Sequence, residues 1–279
     1  MKNALAFGTF DGVHIGHRRV LELPDGCRKI AVVFRQSPKS VMNGVYDAIM
    51  PYEDKCRIIK KIGIDEIFAL DFDKVRNIQA ADFLENICDK FSPVLISYGF
   101  NYRFGKNAEG DTALLGEFCR RKGIEFRCCE PVRSDGETVS STVIRGYLKN
   151  GEIKKADALL TEAFSFSAEV ISGDRRGRTL GFPTVNQKYP EELVKVKFGV
   201  YRSEVIFGGR TYSGITNIGI RPTYRSDYII SETYIHGFSG DLYGKTVTVR
   251  PLEYLRGEMK FSSPDALKRQ IQEDIESLK

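Results

Sequence analysis

Near Leu160 the apolar residues of this chain change period, and no single sheet or helical bundle accommodates both patterns. Before that point short apolar runs alternate with helically spaced ones. Ala4 to Phe7, Ile30 to Phe34, Ile67 to Leu70 and Val94 to Ser97 read as strands. Tyr52 to Gly63, Ala80 to Phe91 and Thr112 to Lys122, the last closed by Gly123, read as helices. The run Ile30-Ala31-Val32-Val33-Phe34 has no polar alternation, as expected of a strand buried on both faces. Strands alternating with helices imply a parallel sheet covered on both sides, with ligands at the carboxyl ends of its strands.

Beyond Leu160 the helical spacing stops. Phe164 to Val170, Gly199 to Val205, Ser231 to His236 and Thr246 to Val249 have strand character, with glycine turns at Gly208-Gly209, Gly219, Gly237 and Gly240. Short strands so spaced suggest an antiparallel barrel or sandwich. One helix closes the chain, with Ser263 as cap, Pro264 in its first turn, and Leu267, Ile271, Ile275 and Leu278 on its apolar face. The 279 residues thus divide into domains at 1–160 and 164–279, with no low-complexity linker between them.

Composition narrows the classes. No apolar run approaches the roughly 20 residues needed to cross a bilayer, and the first residues read as a strand rather than a leader, so a cytoplasmic protein without a membrane partner is expected. Six cysteines without a Cys-x-x-Cys pair and three histidines do not make a zinc site. A net charge of +5 suits phosphate-rich small molecules, but no clustered basic patch points to nucleic acid. These features leave room for a weak homo-oligomer.

Two constellations carry chemistry. The first begins at Phe7-Gly8-Thr9-Phe10-Asp11-Gly12-Val13-His14-Ile15-Gly16-His17, where a strand ends and a helix begins. Gly8 and Gly12 allow a tight turn and close approach of a ligand; Gly8, Phe10, Asp11, Gly12, His14 and His17 make a candidate nucleotide loop. His14 and His17, three residues apart, share a helical face and can follow charge onto a polyphosphate. Ser141 and Thr142 are placed to cap a second helix and bind phosphate oxygens, with Arg145 supplying charge. After a strand, Asn101 could meet a base or ribose and Phe104 could stack on a flat ring. The competing readings are an ordinary capped helix with a surface arginine, and a glycine-bounded turn with core aromatics.

The second constellation opens with Gly173, Gly177 and Gly181, spaced by four with arginines between, as suits a loop over phosphates. Thr184 and Asn186 follow. In an extended chain they point to one side, where their neutral oxygens could meet one Mg²⁺ and a nucleotide. Glu232, in the strand Ser231 to His236, could accept a proton from an alcohol during phosphoryl transfer. In isolation it would be an exposed strand residue.

Taken in order, the first set of strings resembles the adenylyltransferase module of the bacterial bifunctional riboflavin kinase/FAD synthetase family, itself similar to nucleotidyltransferases with a His-x-Gly-His signature. It departs from that pattern at Arg35-Gln36-Ser37-Pro38 and at Val143. The second half resembles riboflavin kinase through Gly181-Phe182-Pro183-Thr184-Val185-Asn186, Gly199-Val200-Tyr201, Asn217 to Thr223, the Glu232 strand, Asp241 to Gly244 and Leu255 to Phe261. The resemblance implies a Rossmann-like nucleotidyltransferase domain followed by a six-stranded antiparallel barrel with a C-terminal helix. It implies that riboflavin is phosphorylated to FMN with Mg²⁺ and ATP, and that FMN is adenylylated to FAD with release of pyrophosphate. By the same likeness Thr184 and Asn186 hold Mg-ATP, Glu232 is the base, Arg256 lies on a loop near the flavin, and His14 and His17 stabilise developing charge. Two alternatives stay open: a monofunctional riboflavin kinase with a degenerate first domain, and a flavin-binding regulator without turnover.

Overall fold

The computed structural model describes residues 1–173, 181–221 and 228–278. The chain divides into two compact units, Met1–Ile144 with Leu159–Glu162, and Arg145–Ala158 with Ala163–Lys279.

The first unit contains strands β1 (Lys2–Phe7), β2 (Cys27–Phe34), β3 (Glu66–Leu70), β4 (Pro93–Gly99) and β5 (Glu125–Cys129), all parallel, in the order β3-β2-β1-β4-β5. Its helices are α1 (Ile15–Leu21), α2 (Pro38–Asn43), α3 (Tyr52–Lys61), α4 (Phe72–Val75), α5 (Ala80–Phe91) and α6 (Thr112–Lys122). Alternation along β1 sorts its side chains. Leu5 and Phe7 pack with Phe83, Leu84 and Ile87 of α5 and Phe118 of α6. The small Ala4 and Ala6 pack with Val20 and Leu21 of α1 and Ile58 and Ile59 of α3. Both sheet faces are therefore covered, as a continuously apolar strand such as β2 requires. The strand order reverses between β1 and β4, which opens a crevice at their carboxyl ends. A short hairpin, β6 (Arg133–Ser134) with β7 (Glu137–Thr138), turns through Asp135 and Gly136, both at positive φ.

Two helices follow, α7 (Ser141–Asn150) and α8 (Ile153–Leu159); the division between the units falls inside α7. The second unit then forms β8 (Phe166–Ile171), β9 (Thr184–Lys188), β10 (Gly199–Phe207), β11 (Arg210–Arg221), β12 (Tyr228–Ile235) and β13 (Thr246–Arg256). They close as a barrel in the order β10-β11-β12-β9-β8-β13, every neighbouring pair antiparallel. The barrel and its six strands accord with the sequence reading, but two details differ. Gly219 is not a turn residue. It lies inside β11, with the Glu258 carboxylate close to it. β13 also runs on to Arg256, which ends the strand rather than lying on a loop.

The terminal helix α9 (Pro264–Glu276) is capped by Ser263, whose Oγ accepts from the Ala266 N–H at 3.2 Å. Its apolar residues are only half-buried; the buried residue is Asp274. Asp274 receives both Nε (3.1 Å) and Nη2 (2.6 Å) of Arg256, a two-pronged ion pair that ties α9 to the end of β13. Removing one partner of a buried pair leaves an uncompensated charge, at a typical cost of about 3 kcal/mol. Asp274→Ala is therefore expected to speed amide exchange along α9 by at least tenfold while leaving β10 and β11 protected. Unchanged exchange in α9 would mean the helix is held by its apolar face alone.

Candidate active sites

At the end of β1 the backbone makes a strained turn. Phe10 (φ 51°), Gly12 (φ 84°) and Val13 (φ 36°) all have positive φ, and non-glycine residues adopt it only where the surroundings enforce it. The surroundings do so. A Cβ on Gly8 would fall 2.8 Å from the Phe10 ring, and one on Gly12 would fall 2.9 Å from Ile49. Phe10 is fully buried, and the Asp11 carboxylate accepts from the Ile49 N–H at 2.9 Å. Phe10 and Asp11, expected among the nucleotide contacts, are both buried in this turn. The segment 159–162 braces it, with Leu160 bridging to His14 and the Thr161 N–H donating to the Val13 carbonyl at 3.2 Å.

His14 is the N-cap of α1 and His17 its third residue, and each caps the other. The His17 N–H donates to His14 Nδ1 at 3.2 Å, the His14 N–H donates to His17 Nδ1 at 3.4 Å, and the rings stack with centroids 3.5 Å apart. An Nδ1 that accepts a hydrogen bond carries no proton, so both neutral rings keep theirs on Nε2. Burial pushes His14 down to about 4. Burial first, then the charges of His14 and Lys55, push His17 well below the ordinary histidine range. The pair therefore presents two neutral Nε2–H donors near pH 7.

Lys55 escaped the sequence reading. It sits on α3 at 6% exposure, and its Nζ donates to the carbonyls of Thr9 (3.1 Å) and Phe34 (2.7 Å), joining the loop after β1 to the end of β2. Burial lowers its pKa, and Asp11 opposes that shift. A lysine on the buried stripe of α3, beside Ile58 and Ile59, was the available signal.

The start of α7 meets the same loop through Ser141. Here Ser140, not Ser141 or Thr142, caps α7: its Oγ accepts from the Val143 N–H at 3.3 Å. Ser141 instead donates its hydroxyl to the Asp11 carbonyl at 2.8 Å, which sets the first turn of α7 against the loop. Thr142 is exposed in that turn, and Arg145 lies one helical turn beyond Ser141. Asn101 is exposed just after β4, with Oδ1 close to Gly99, on the β4 side of the crevice. Phe104 is placed differently from the expectation. It is 5% exposed, packed on Phe83 and Tyr102, with Gly110 directly beneath its ring. Core packing accounts for this aromatic.

In the second unit strand pairing builds the site. Glu232 of β12 stands directly opposite Asn186 of β9 on one side and Asn217 of β11 on the other. Directly opposed residues share a sheet face. Thr184, two residues before Asn186 and opposite Tyr234, lies on that face too. Asn186 is 6% exposed, and its Oδ1 is buried without a hydrogen-bond partner; the Oδ1 of Asn217 is buried and unpartnered as well. Gly173 lies so close over Asn186 that a Cβ would fall 2.6 Å from its amide. Gly181 has φ 88°, and Gly177 lies outside the described residues. A cavity of about 530 Å³ opens beside this row, lined by Gly173, Pro183, Thr184, Asn186 and the 238–243 segment. Asp241 to Tyr243 of that segment, like Asn217, belong to the kinase-like strings, but sequence alone gives them no role. Among the described residues no group of three or more His, Cys, Asp or Glu is arranged for a metal.

Comparison with known proteins agrees with both halves. A family model described as FAD synthetase matches residues 1–143, and one described as riboflavin kinase matches residues 160–279. A bifunctional riboflavin kinase/FMN adenylyltransferase of Haemophilus influenzae is 32% identical over 99% of this chain and 93% of its own length. That of Escherichia coli K12 is 32% identical over 97% and 90%, and that of Listeria monocytogenes 29% over 98% and 90%. A Streptococcus pneumoniae crystal structure titled as a macrolide-efflux protein superposes with a TM-score of 0.90 at 27% identity, covering 99% of this chain and 94% of that one. No helix among the described residues is long and apolar enough to cross a membrane. The fold and its two sites define a two-unit nucleotide-handling protein, with a nucleotidyltransferase-like sheet followed by a kinase barrel. The chain belongs to the bifunctional riboflavin kinase/FMN adenylyltransferase family.

The histidine pair makes a pH prediction. With the folded His14 pKa near 4 and the unfolded value 6.5, the unfolded chain binds more protons between those limits. Stability is complete above about pH 7 and falls as pH drops from 6.5 toward 4. His14→Asn keeps a capping acceptor that does not titrate, so its unfolding midpoint should fall less steeply over that window. In NMR titrations of the wild type, both rings should remain Nε2–H tautomers at pH 6. A ring titrating near 6.5 would contradict the mutual cap.

Proposed function

We propose that the chain phosphorylates riboflavin to FMN in its second unit and adenylylates FMN to FAD in its first, with ATP as donor in both. The observation carrying this reading is the row Asn186–Glu232–Asn217 in the barrel, and, in the first unit, the stacked His14–His17 pair at the end of β1.

In the phosphorylation step the 5′-hydroxyl of riboflavin attacks the γ-phosphorus of ATP and ADP leaves. Glu232 takes the hydroxyl proton, since an alcohol is a poor nucleophile until that proton has an acceptor. The nucleotide occupies the cavity beside Asn186, with Gly173 against its phosphates. The unpartnered Asn186 oxygen fits a Mg²⁺ ion, with Thr184 supplying a second oxygen. When bound, that ion neutralises phosphate charge. Arg256 reaches the flavin side only as far as its pairing with Asp274 allows.

In the adenylylation step a phosphate oxygen of FMN attacks the α-phosphorus of ATP and pyrophosphate leaves. The Nε2–H groups of His14 and His17 donate to the charge that builds on the phosphates, and being neutral they do so without a proton loss near pH 7. The loop from Gly8 to Gly12 and the first turn of α7 with Ser141 and Thr142 offer N–H and hydroxyl donors, and Arg145 adds charge. Asn101 meets the nucleotide from the end of β4. Lys55 is a positioning residue, fixing the loop from beneath.

Opposed variants in the intact chain test the assignment. Glu232→Gln should cut riboflavin phosphorylation at least a thousandfold in kcat and leave FAD formation from supplied FMN within twofold. His17→Ala should do the reverse, since losing one preorganised donor typically costs on the order of 3–4 kcal/mol, a few hundredfold in rate. FMN production within tenfold of wild type by Glu232→Gln, or normal FAD formation by His17→Ala, would remove that residue from its step.

A further inference from the structure

The row Asn186–Glu232–Asn217 contains two buried amide oxygens without partners, one on each flank of the carboxylate. The nucleotide cavity accounts for one of them: Thr184 and Asn186 line it, and Asn217 does not. Asn217 is on the far side of Glu232. The next residue on its face of β11 is Gly219, against which the Glu258 carboxylate packs. A carboxylate only accepts, so it cannot satisfy the Asn217 oxygen. A buried acceptor left unsatisfied is costly, and its natural remedy is a donor that arrives with a ligand. In transfer from nucleotide to alcohol the base stands between the phosphates and the body of the acceptor substrate. What lies beyond Glu232 is therefore the alcohol, and riboflavin brings a chain of hydroxyl donors.

We propose that Asn217 is a riboflavin-binding residue, its side-chain oxygen accepting a hydrogen bond from a ribityl hydroxyl and so orienting the attacking end of the chain at Glu232. The proposal rests on the reading of Glu232 as the base. A metal shared with Asn186 would instead make the loss of Asn217 shift the Mg²⁺ dependence, which the test below reads separately. The proposal also gives Asn217 a part in specificity: a site built to pair with a hydroxyl discriminates against an analogue that lacks it.

The test is steady-state kinetics on the full chain with riboflavin and Mg-ATP. Asn217→Leu, which removes the acceptor at similar volume, should raise the riboflavin KM at least tenfold. The Mg-ATP KM and the Mg²⁺ dependence should stay within twofold, and FAD formation from supplied FMN should not change. Its melting temperature should not fall, because an unsatisfied buried oxygen has been removed rather than a used one. Asn217→Asp, which keeps an acceptor, should hold the riboflavin KM closer to wild type. A flavin carrying hydroxyethyl in place of ribityl should lose more affinity for wild type than for Asn217→Leu. Three results overturn the proposal: an unchanged riboflavin KM in both variants, a shifted Mg²⁺ or ATP dependence with riboflavin unaffected, or a lowered melting temperature with normal activity per folded molecule. Full kinase activity in Glu232→Gln would instead strike the underlying reading and leave a riboflavin effect of Asn217→Leu standing.

Discussion

Strand pairing is the interaction on which both sites depend. In the barrel, main-chain hydrogen bonds set β12 against β9 and β11 so that Asn186, Glu232 and Asn217 fall in one row. A slip of one residue would turn Glu232 to the other face and bring Ser231 or Thr233 to its place. Those neighbours are buried and hydrogen-bonded, Thr233 to Thr216 at 3.0 Å, which makes the slip costly from both sides. In the parallel sheet, the pairing of β1 with β2 and β4 brings the loop after Phe7 to the crevice where the strand order reverses. The chemistry at each site is placed by backbone register before any side chain acts.

The two sites solve their electrostatic problems differently. The first holds neutral imidazoles, because each ring's Nδ1 accepts a hydrogen bond in the same helix turn and burial disfavours adding a proton there, which leaves Nε2–H as the donor. Lys55 is held beneath the loop on two carbonyls and near Asp11. The second site has a carboxylate flanked by amide oxygens. That arrangement suits a cation held mainly by its own nucleotide, since neutral ligands alone bind Mg²⁺ weakly.

Much of this was legible in the sequence, for identifiable reasons. The helix from Ala80 to Phe91 and the one closed by Gly123 carried unbroken apolar spacing and clear stops, and both stand where the spacing placed them. β11 was missed because Gly214 and Gly219 interrupt its pattern, and the close approach of the Tyr234 carbonyl that Gly214 admits shows only in three dimensions. With β11 went the register partner of Glu232, so Asn217 had no role. Ser140, Ser141 and Thr142 are equally good caps on paper; which one caps α7 is decided by where the helix starts. Phe104 followed a glycine-bounded turn, where an aromatic serves a ligand or a core equally well, and the core prevailed. Lys55 lay within a helix whose spacing was recognised, but spacing alone does not distinguish a buried ammonium from a solvated one.

The central claim is that one chain uses ATP at two different phosphorus atoms, γ in the barrel and α in the parallel-sheet unit. Isotopic labelling tests it directly. Purified full-length protein is supplied with riboflavin, Mg²⁺ and ATP labelled at either the γ- or the α-phosphorus, and FMN and FAD are separated over time. The account predicts that γ-label enters FMN first and then FAD, while α-label enters FAD only, with one label of each kind per FAD at completion. FAD free of γ-label, or α-label in FMN, would contradict it.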